Sequence, residues 1–294
     1  MIDAPSMTHL AQPSPRQVVR GYLVLPHAVP IIVVMTATAA FALLASGGWP
    51  GLGTMARLLA AMFGAQITIG AVNELADAEL DALSKPDKPI PAGLVSRRGA
   101  QVVGISGAIL MSVLSLTFGV GALLLCVAGT GVGIAYSLWF KLTIWSWVPY
   151  LVALPLLPIW VWSTLSEVPP GIFAIYPIGA AAVIAIQIAQ SLPDIEADRV
   201  TGVQTLSVML GSSRARRLCW AALALASFLA VLASPLTNHP ERTWIAASVA
   251  LGAIGLNAMI WSRNARTGVL ACFPCIAAGA VLLGIGWTAA LLGS

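Results

Sequence analysis

The chain has 294 residues, of which 59% are apolar and only 9% are charged, and its mean hydropathy is +0.91. A typical soluble domain carries about 25% charged residues, and a soluble globule of this length could not hide so many apolar side chains from water. The composition therefore excludes a soluble enzyme, a disordered chain and a nucleic-acid-binding module, and it predicts a protein embedded in lipid.

Apolar windows recur nine times along the chain, and each is long enough to cross about 30 Å of hydrocarbon. Each window is expected to be helical because lipid offers no partner to a free backbone group. Gly119 or Gly121 is expected to mark the turn between the third and fourth windows, which are almost continuous. The windows lie near residues 24–46, 54–76, 99–118, 119–138, 146–164, 171–193, 216–234, 243–261 and 269–291.

The sequence thus predicts an all-α integral membrane protein, with one nine-helix domain over residues 24–294 and a cytoplasmic N-terminal arm over residues 1–23. If the N-terminus is cytoplasmic, thirteen Lys and Arg residues fall in cytoplasmic segments and only Arg57 and Arg242 fall on the other side. This bias predicts an N-terminus inside, a C-terminus outside and a location in the plasma membrane. The basic run at 214–217 is interpreted as part of this bias, with contact to anionic membrane lipids.

Acidic residues are rare and clustered, which makes them the most informative feature of the chain. Of the eleven Asp and Glu residues, five lie between residues 74 and 87 and three lie between residues 194 and 198. In the first cluster the spacing i, i+4, i+8 places Asn73, Asp77 and Asp81 on one face of a helix. We call this face the acidic stripe.

The second cluster repeats the same spacing at the end of the sixth predicted helix. Asp194 and Asp198 follow Gln187 and Gln190 on a shared face, and Pro193 is expected to bend or end the helix there. The second and sixth helices are an even number of spans apart, so both clusters are predicted at the cytoplasmic side.

Like charges at i, i+4 repel each other in a helix, so two facing aspartate pairs require cations between them. Carboxylate oxygens without His or Cys suit Mg²⁺, with Mn²⁺ as an alternative. Because Mg²⁺ is commonly held by a few carboxylates together with substrate phosphates, the pattern predicts a diphosphate between the two acidic helices. The remaining acids of the clusters, Glu74, Glu79 and Glu196, lie off the stripe and are expected to mark the membrane–water boundary.

Basic residues lie near both clusters and are candidates for phosphate contacts. Lys85 and Lys88 follow the first cluster, and Arg199 follows the second. Lys141 stands alone among apolar neighbours, close to Tyr136, and such an isolated charge is costly without a partner. We expect Lys141 to contact a phosphate.

At these residues the sequence resembles the UbiA superfamily of intramembrane prenyltransferases. The resemblance rests on NELADAELDALSKPDKPIPAG after the second helix, SLPDIEADRVTGVQTLSVMLG after the sixth and YSLWFK after the fourth. It implies a nine-helix bundle around a central cavity that opens toward the cytoplasm. It also implies transfer of a prenyl group from a prenyl diphosphate to an aromatic or lipid acceptor, through an allylic carbocation.

The resemblance also implies roles for individual residues. One set of residues binds the metal, and the aspartates of this set are also the catalytic residues. A second set contacts the diphosphate. The metal ligands are Asn73, Asp77, Asp81, Asp194 and Asp198, and the diphosphate contacts are Asn73, Lys88, Tyr136, Lys141 and Arg199.

The chain departs from the family pattern at two positions that bear on substrate recognition. Lys88 stands where the family loop carries Arg. An ammonium group, which donates from one nitrogen, therefore replaces a guanidinium group, which can donate two parallel hydrogen bonds. Leu142 stands where many members that take 4-hydroxybenzoate carry Arg. A carboxylate-bearing benzoate acceptor is therefore disfavoured.

Two other functions remain open at this stage. A terpene cyclase of the same superfamily would share the diphosphate site but need no acceptor. A cation transporter would line its path with intramembrane acids, although such acids belong near the midplane in broken helices and here they cluster at one edge.

Overall fold

The computed structural model describes residues 14–25, 28–200 and 202–292, and its regular secondary structure over these ranges is helical throughout. The helices are α1 (Pro15–Val24), α2 (Ala28–Ala45), α3 (Leu52–Ser84), α4 (Arg97–Leu116), α5 (Val120–Ala135), α6 (Val148–Leu165), α7 (Ile175–Ser191), α8 (Ile195–Val200), α9 (Leu206–Leu210), α10 (Ser212–Ala233), α11 (Pro240–Arg263) and α12 (Ala265–Ala290).

Within the described ranges, eight helical segments are long and apolar enough to cross a membrane. They comprise α3, α4, α5 with the turn after it, α6, α7 with its flanking turns, α10, α11 and α12. Helix α2 is shorter over its described apolar part, Ile31–Ala45. The prediction of an all-α membrane bundle is confirmed, and the count of nine spans stays a prediction.

The N-terminal arm predicted for residues 1–23 contains a helix where it is described, and its first thirteen residues lie outside the described ranges. Helix α1 starts at a capping box, in which the amide of Gln17 donates to Ser14 Oγ and the amide of Ser14 donates to Gln17 Oε1. Gly21 packs so closely on the loop after α3 that a Cβ there would lie 2.8 Å from Leu94 Cβ. Helix α1 is therefore held against the bundle at that loop.

Two predicted breaks occur at the expected residues. Gly119, with φ of +106°, precedes α5 and makes the tight turn from α4, a conformation that favours glycine. At Pro193 the chain leaves α7, makes a short 3₁₀ turn over Leu192–Asp194 and continues as α8. Helix α3 runs past the predicted end at residue 76 as far as Ser84, so the whole first acidic stripe is helical.

Helices α3 and α4 cross where glycines allow the backbones to touch. A Cβ added to Gly107 would lie 2.7 Å from the carbonyl oxygen of Gly64 and 2.8 Å from Thr68 Oγ1. The hydroxyl of Thr68 also donates to the carbonyl of Gly104 on the neighbouring helix, at 3.1 Å. Small residues and an interhelical hydrogen bond are the usual means of joining helices in lipid, and here they fix the wall that carries the acidic stripe.

We expect Gly107→Ala to destabilise the protein by about 1–3 kcal/mol, because the new methyl group meets backbone that cannot move without separating α3 from α4. The matched control is Gly252→Ala in α11, where an added Cβ meets nothing within 4 Å. Thermal unfolding in detergent compares the two variants with the parent. Equal melting temperatures for both variants would contradict the close crossing.

Candidate functional site

The two acidic clusters line a single cavity. Helix α3 provides one wall, and the segment from α7 through α8 provides the facing wall. The cavity has a volume of about 640 Å³. Its charged, tyrosine and amide lining residues are Asp77, Asp81, Lys85, Lys88, Tyr136, Lys141, Gln187, Gln190, Asp194 and Asp198.

All four predicted aspartates therefore face the same space, together with three of the predicted phosphate contacts, Lys88, Tyr136 and Lys141. Asn73 lies one helical turn before Asp77 and is not among the lining residues. Its Oδ1 accepts a hydrogen bond from Lys141 Nζ at 3.3 Å. Arg199 is not among the lining residues. Its side chain is 55% exposed, and its ion-pair partner is Glu196 at 3.5 Å.

Two lysines form ion pairs with Asp77 and Asp81, the carboxylates of the acidic stripe on α3. Lys88 Nζ lies 2.7 Å from Asp81 Oδ2 and 2.8 Å from Glu74 Oε1. Lys141 Nζ forms an ion pair with Asp77 Oδ1 in addition to its contact with Asn73. These contacts neutralise the stripe within the protein itself, which explains how an isolated Lys141 is accommodated among apolar neighbours.

Two acids of α3 control the charge of Lys88, which lies in the loop after that helix. Burial by itself lowers the pKa of Lys88, but the hydrogen bonds and negative charges of Asp81 and Glu74 outweigh burial and raise this pKa above its usual value. Lys88 therefore carries a positive charge at any physiological pH, and this charge lines the main cavity.

The structure corrects the expectation for Glu74. The sequence pattern suggested that the acids off the stripe mark the water boundary, and Glu79 and Glu196 are indeed 91% and 81% exposed. Glu74, in contrast, is 1% exposed and pairs with Lys88. Glu74 and Asp81 are seven residues apart, which is two helical turns, and this spacing is the signal that could have identified a shared lysine.

A π-helical turn positions the other lysine. Residues Tyr136–Phe140 form one turn of π-helix directly after α5, closed by a hydrogen bond from the amide of Lys141 to the carbonyl of Tyr136 at 3.0 Å. Turns of this kind are frequent at functional sites. Here the turn ends at the edge of the cavity, so that both Tyr136 and Lys141 line it, and the Tyr136 ring packs edge-on against Tyr150.

The donor atoms suit a hard divalent cation, because they are carboxylate and amide oxygens. Among the described residues, no three His, Cys, Asp or Glu side chains are close enough together to hold one ion. Carboxylates from the two walls could therefore hold Mg²⁺ only in combination with further oxygens, such as those of water or phosphate, which is the usual mode of Mg²⁺ binding.

A second, mainly apolar cavity lies farther along α3. Its volume is about 130 Å³, and α2, α3, α5 and α6 contribute its walls. Gln66 and Ile69 line it on α3, two to three turns before Asp77. Gly129 and Gly133 line it on α5, in the same segment that leads to Tyr136. The polar and apolar cavities thus follow one another along the same two helices.

A small recess adjoins the main cavity on the wall opposite α3. Gln187, Ser191 and Thr205 line both spaces, and the recess has a volume of about 10 Å³, enough for one water molecule. Gln187 Nε2 donates to Ser146 Oγ at 3.3 Å, whereas the buried Gln187 Oε1 has no hydrogen-bond partner among the described residues. Gln187 thus lies between the recess and the main cavity, with one buried acceptor that no described residue satisfies.

Comparison with known proteins gives a consistent result. Residues 33–269 match the UbiA prenyltransferase family. The bacteriochlorophyll synthase 33 kDa chain of Cereibacter sphaeroides is 32% identical over 223 residues, covering 68% of this chain and 69% of that protein. Digeranylgeranylglyceryl phosphate synthase of Natronomonas pharaonis is 29% identical over 171 residues, and the match covers 56% of this chain and 59% of that relative's length.

Solved structures share the fold. A UbiA homolog from Archaeoglobus fulgidus superposes with a TM-score of 0.68 at 19% identity, covering 92% of this chain and all of that one. The same homolog bound to GPP and Mg²⁺ superposes with a TM-score of 0.66 at 18% identity, again covering 92% of this chain.

We expect Lys88→Met to lower stability by about 2 kcal/mol or more, because it removes a cation from beside the buried Glu74 carboxylate. The matched control is Arg97→Met. Arg97 pairs with Glu79 at 3.4 Å, but both side chains are mostly exposed, so the loss should stay within about 0.5 kcal/mol. Thermal unfolding in detergent measures both variants, and a control that melts as early as Lys88→Met would refute the importance of burial here.

Proposed function

The chain belongs to the UbiA prenyltransferase family, and from this membership we propose that it transfers a prenyl group from a prenyl diphosphate to an aromatic or lipid acceptor. One observation carries the proposal: two aspartate pairs from α3 and from the α7–α8 segment line one cavity that also contains Lys88 and Lys141.

We assign nine spans to the bundle, with α2 as the first, and place the cavity at the cytoplasmic face of the plasma membrane because basic residues are concentrated on that side.

The divalent cation in this proposal is Mg²⁺, which Asp77, Asp81, Asp194 and Asp198 would hold together with Asn73, one helical turn before Asp77. Its chemistry is to stabilise the negative charge that develops on a leaving diphosphate. The oxygen-rich walls support this assignment, as does the complex of the Archaeoglobus fulgidus homolog with GPP and Mg²⁺.

In this proposal the two lysines would contact the diphosphate. Lys88 and Lys141 pair with the carboxylates that would hold the cation, so their ammonium groups would be free for the diphosphate if those carboxylates held Mg²⁺ instead. Tyr136 can donate its hydroxyl to the same group. Positioned donors that meet charge as it develops are a major source of rate enhancement. The proposed role of Arg199 is weaker, because Arg199 is not among the lining residues and pairs with Glu196.

In the reaction, the bond between the allylic carbon and the diphosphate oxygen breaks, and the diphosphate leaves with the electron pair. The acceptor then forms its bond to that carbon and loses a proton. The apolar cavity between α2, α3, α5 and α6 is the proposed site of the prenyl tail, since it continues from the polar cavity along α3 and α5. Exclusion of water there protects the cationic intermediate.

An acceptor-dependent transferase fits the site better than a cyclase does. Gln187, Gln190 and Ser191 line the main cavity with hydrogen-bonding groups, which suit a polar second substrate but have no use in folding a hydrocarbon chain. Leu142 lines the main cavity, so the position that would favour a benzoate carboxylate is apolar here. A transport path is disfavoured because lysines occupy the stripe carboxylates.

We expect Asp77→Asn and Asp194→Asn each to reduce Mg²⁺-dependent diphosphate release by about 10²-fold or more, since each removes a charge that holds the cation against the leaving group. Glu79→Gln is the matched control, because Glu79 is an acid on the same helix but is 91% exposed. Purified protein is incubated with labelled geranyl, farnesyl and geranylgeranyl diphosphates and Mg²⁺, with and without aromatic and lipid acceptors.

Release that requires an acceptor and disappears in both aspartate variants supports the transferase. Release of a cyclic product without acceptor would establish the cyclase instead. Failure of the parent protein to bind any prenyl diphosphate would overturn the proposal.

The apolar cavity between α2, α3, α5 and α6 leads to a prediction about the preferred length of the prenyl chain. Gly129 lines it, and a Cβ there meets nothing within 4 Å, so Gly129→Leu should fill the cavity without disturbing the fold. We expect the variant to use geranylgeranyl diphosphate several-fold less well than geranyl diphosphate, relative to the parent. Gly131→Leu is the control on the same helix, because Gly131 is equally unobstructed but does not line the cavity. A chain-length preference that shifts equally in both variants would place the tail elsewhere.

A further inference from the structure

Five arginines gather at one end of the last three helices, and we call this group the arginine edge. Arg214, Arg216 and Arg217 lie in the first turns of α10, Arg263 ends α11, and Arg266 lies in the first turn of α12. Because α7 ends where the chain turns toward α10, and α11 runs opposite to α10, this edge lies on the same side of the bundle as the aspartates. None of the five arginines lines the main cavity.

The arginine edge has no acidic counterpart in its own part of the chain. After Arg199 the sequence contains a single acid, Glu241. Glu241 is in the first turn of α11 and Arg263 is in its last, which separates them by about 33 Å along the helix axis at 1.5 Å per residue. Within the described ranges, no ion pair involves any of the five arginines.

Arg216 is held in a fixed position within this edge. Its guanidinium lies 4.5 Å from the centroid of the Trp261 ring and 5.1 Å from that of the Trp220 ring. The two rings pack edge to face. Arg216 Nε is buried and has no hydrogen-bond partner among the described residues.

The two tryptophans are themselves fixed by the packing of α10, α11 and α12. Trp220 Nε1 donates to Asn257 Oδ1 at 3.0 Å, and Asn257 Nδ2 donates to the carbonyl of Gly268 at 3.0 Å. Trp261 packs directly on Gly268, where a Cβ would approach it to 2.6 Å. The guanidinium therefore rests on rigid aromatic walls, whereas an arginine that only served to orient the helices would be free and solvated.

We propose that the arginine edge binds the phosphate of an anionic phospholipid, with Arg216 as its central contact. A planar guanidinium matches a phosphate with two parallel hydrogen bonds, and four further arginines at the same end of α10, α11 and α12 add uncompensated positive charge. Apolar side chains continue from the edge along the outside of the helices, with Leu218 37% exposed and Leu270 63% exposed. A lipid satisfies both features at once, since its headgroup meets the arginines and its chains cover the leucines.

The test measures lipid binding to the delipidated full chain in detergent by native mass spectrometry, with phosphatidylglycerol and phosphatidylcholine as probes. We expect phosphatidylglycerol to be retained preferentially. Arg216→Gln should weaken this binding by about fivefold or more, and Arg216→Lys should weaken it less, because it keeps the charge but loses the fork. The lysine variant also preserves the test if the glutamine variant does not fold.

Two controls separate the proposed site from general electrostatics. Arg214→Gln removes the same charge from the same edge and should have a smaller effect than Arg216→Gln. Arg57→Gln removes an arginine that also stacks on an aromatic ring, Phe118 at 4.8 Å, but at the start of α3, and should have no effect. Equal weakening by Arg57→Gln, equal retention of phosphatidylcholine, or displacement of the lipid by millimolar inorganic phosphate would each overturn the proposal.

Discussion

The contacts between lysines and aspartates on α3 are the interactions on which the site depends. Carboxylates within a membrane-spanning helix are costly unless a cation lies beside them. Removal of one partner from a buried pair leaves the other charge uncompensated. Lys88 and Lys141 supply the cations in this structure, one from the loop after α3 and one from the turn after α5. The acidic stripe can therefore exist without a metal while remaining available to one.

Departures from regular helix geometry bring these groups together. The loop after Ser84 returns Lys88 over the last turns of α3, and α1 packs on that loop through Gly21. The π-helical turn after α5 carries Lys141 to Asp77. On the facing wall, the break at Pro193 allows α8 to continue the second aspartate pair around the cavity. Straight helices would place the same residues at the correct depth without directing them into one space.

The main cavity and the apolar cavity form a polar-to-apolar series along α3. Asp77 and Asp81 line the polar end, whereas Ile69 and Met62 line the apolar end. This order matches an amphiphilic substrate with a charged head and a hydrocarbon tail, and it lets a single helix position both. The crossing of α3 with α4 at Gly64 and Gly107 supports this helix from behind.

The sequence by itself determined that this protein lies in a membrane and that its spans are helical, because hydropathy is a local property of the chain. It also predicted that Asp77, Asp81, Asp194 and Asp198 lie at the same side, from their i, i+4 spacing and the even number of spans between them, but that they line one cavity is a result of the packing. Gly119 and Pro193 were also predictable as breaks, since their backbone restrictions act locally.

Only the tertiary structure decided which partners the charges take. Glu74 is buried and pairs with Lys88, Lys141 pairs with Asp77, and the exposed Arg199 pairs with Glu196. The sequence assigned all three differently, or left them open, because the partner of a charged side chain depends on the path by which a loop returns to its helix. Such a path is set by long-range packing, which no local spacing contains.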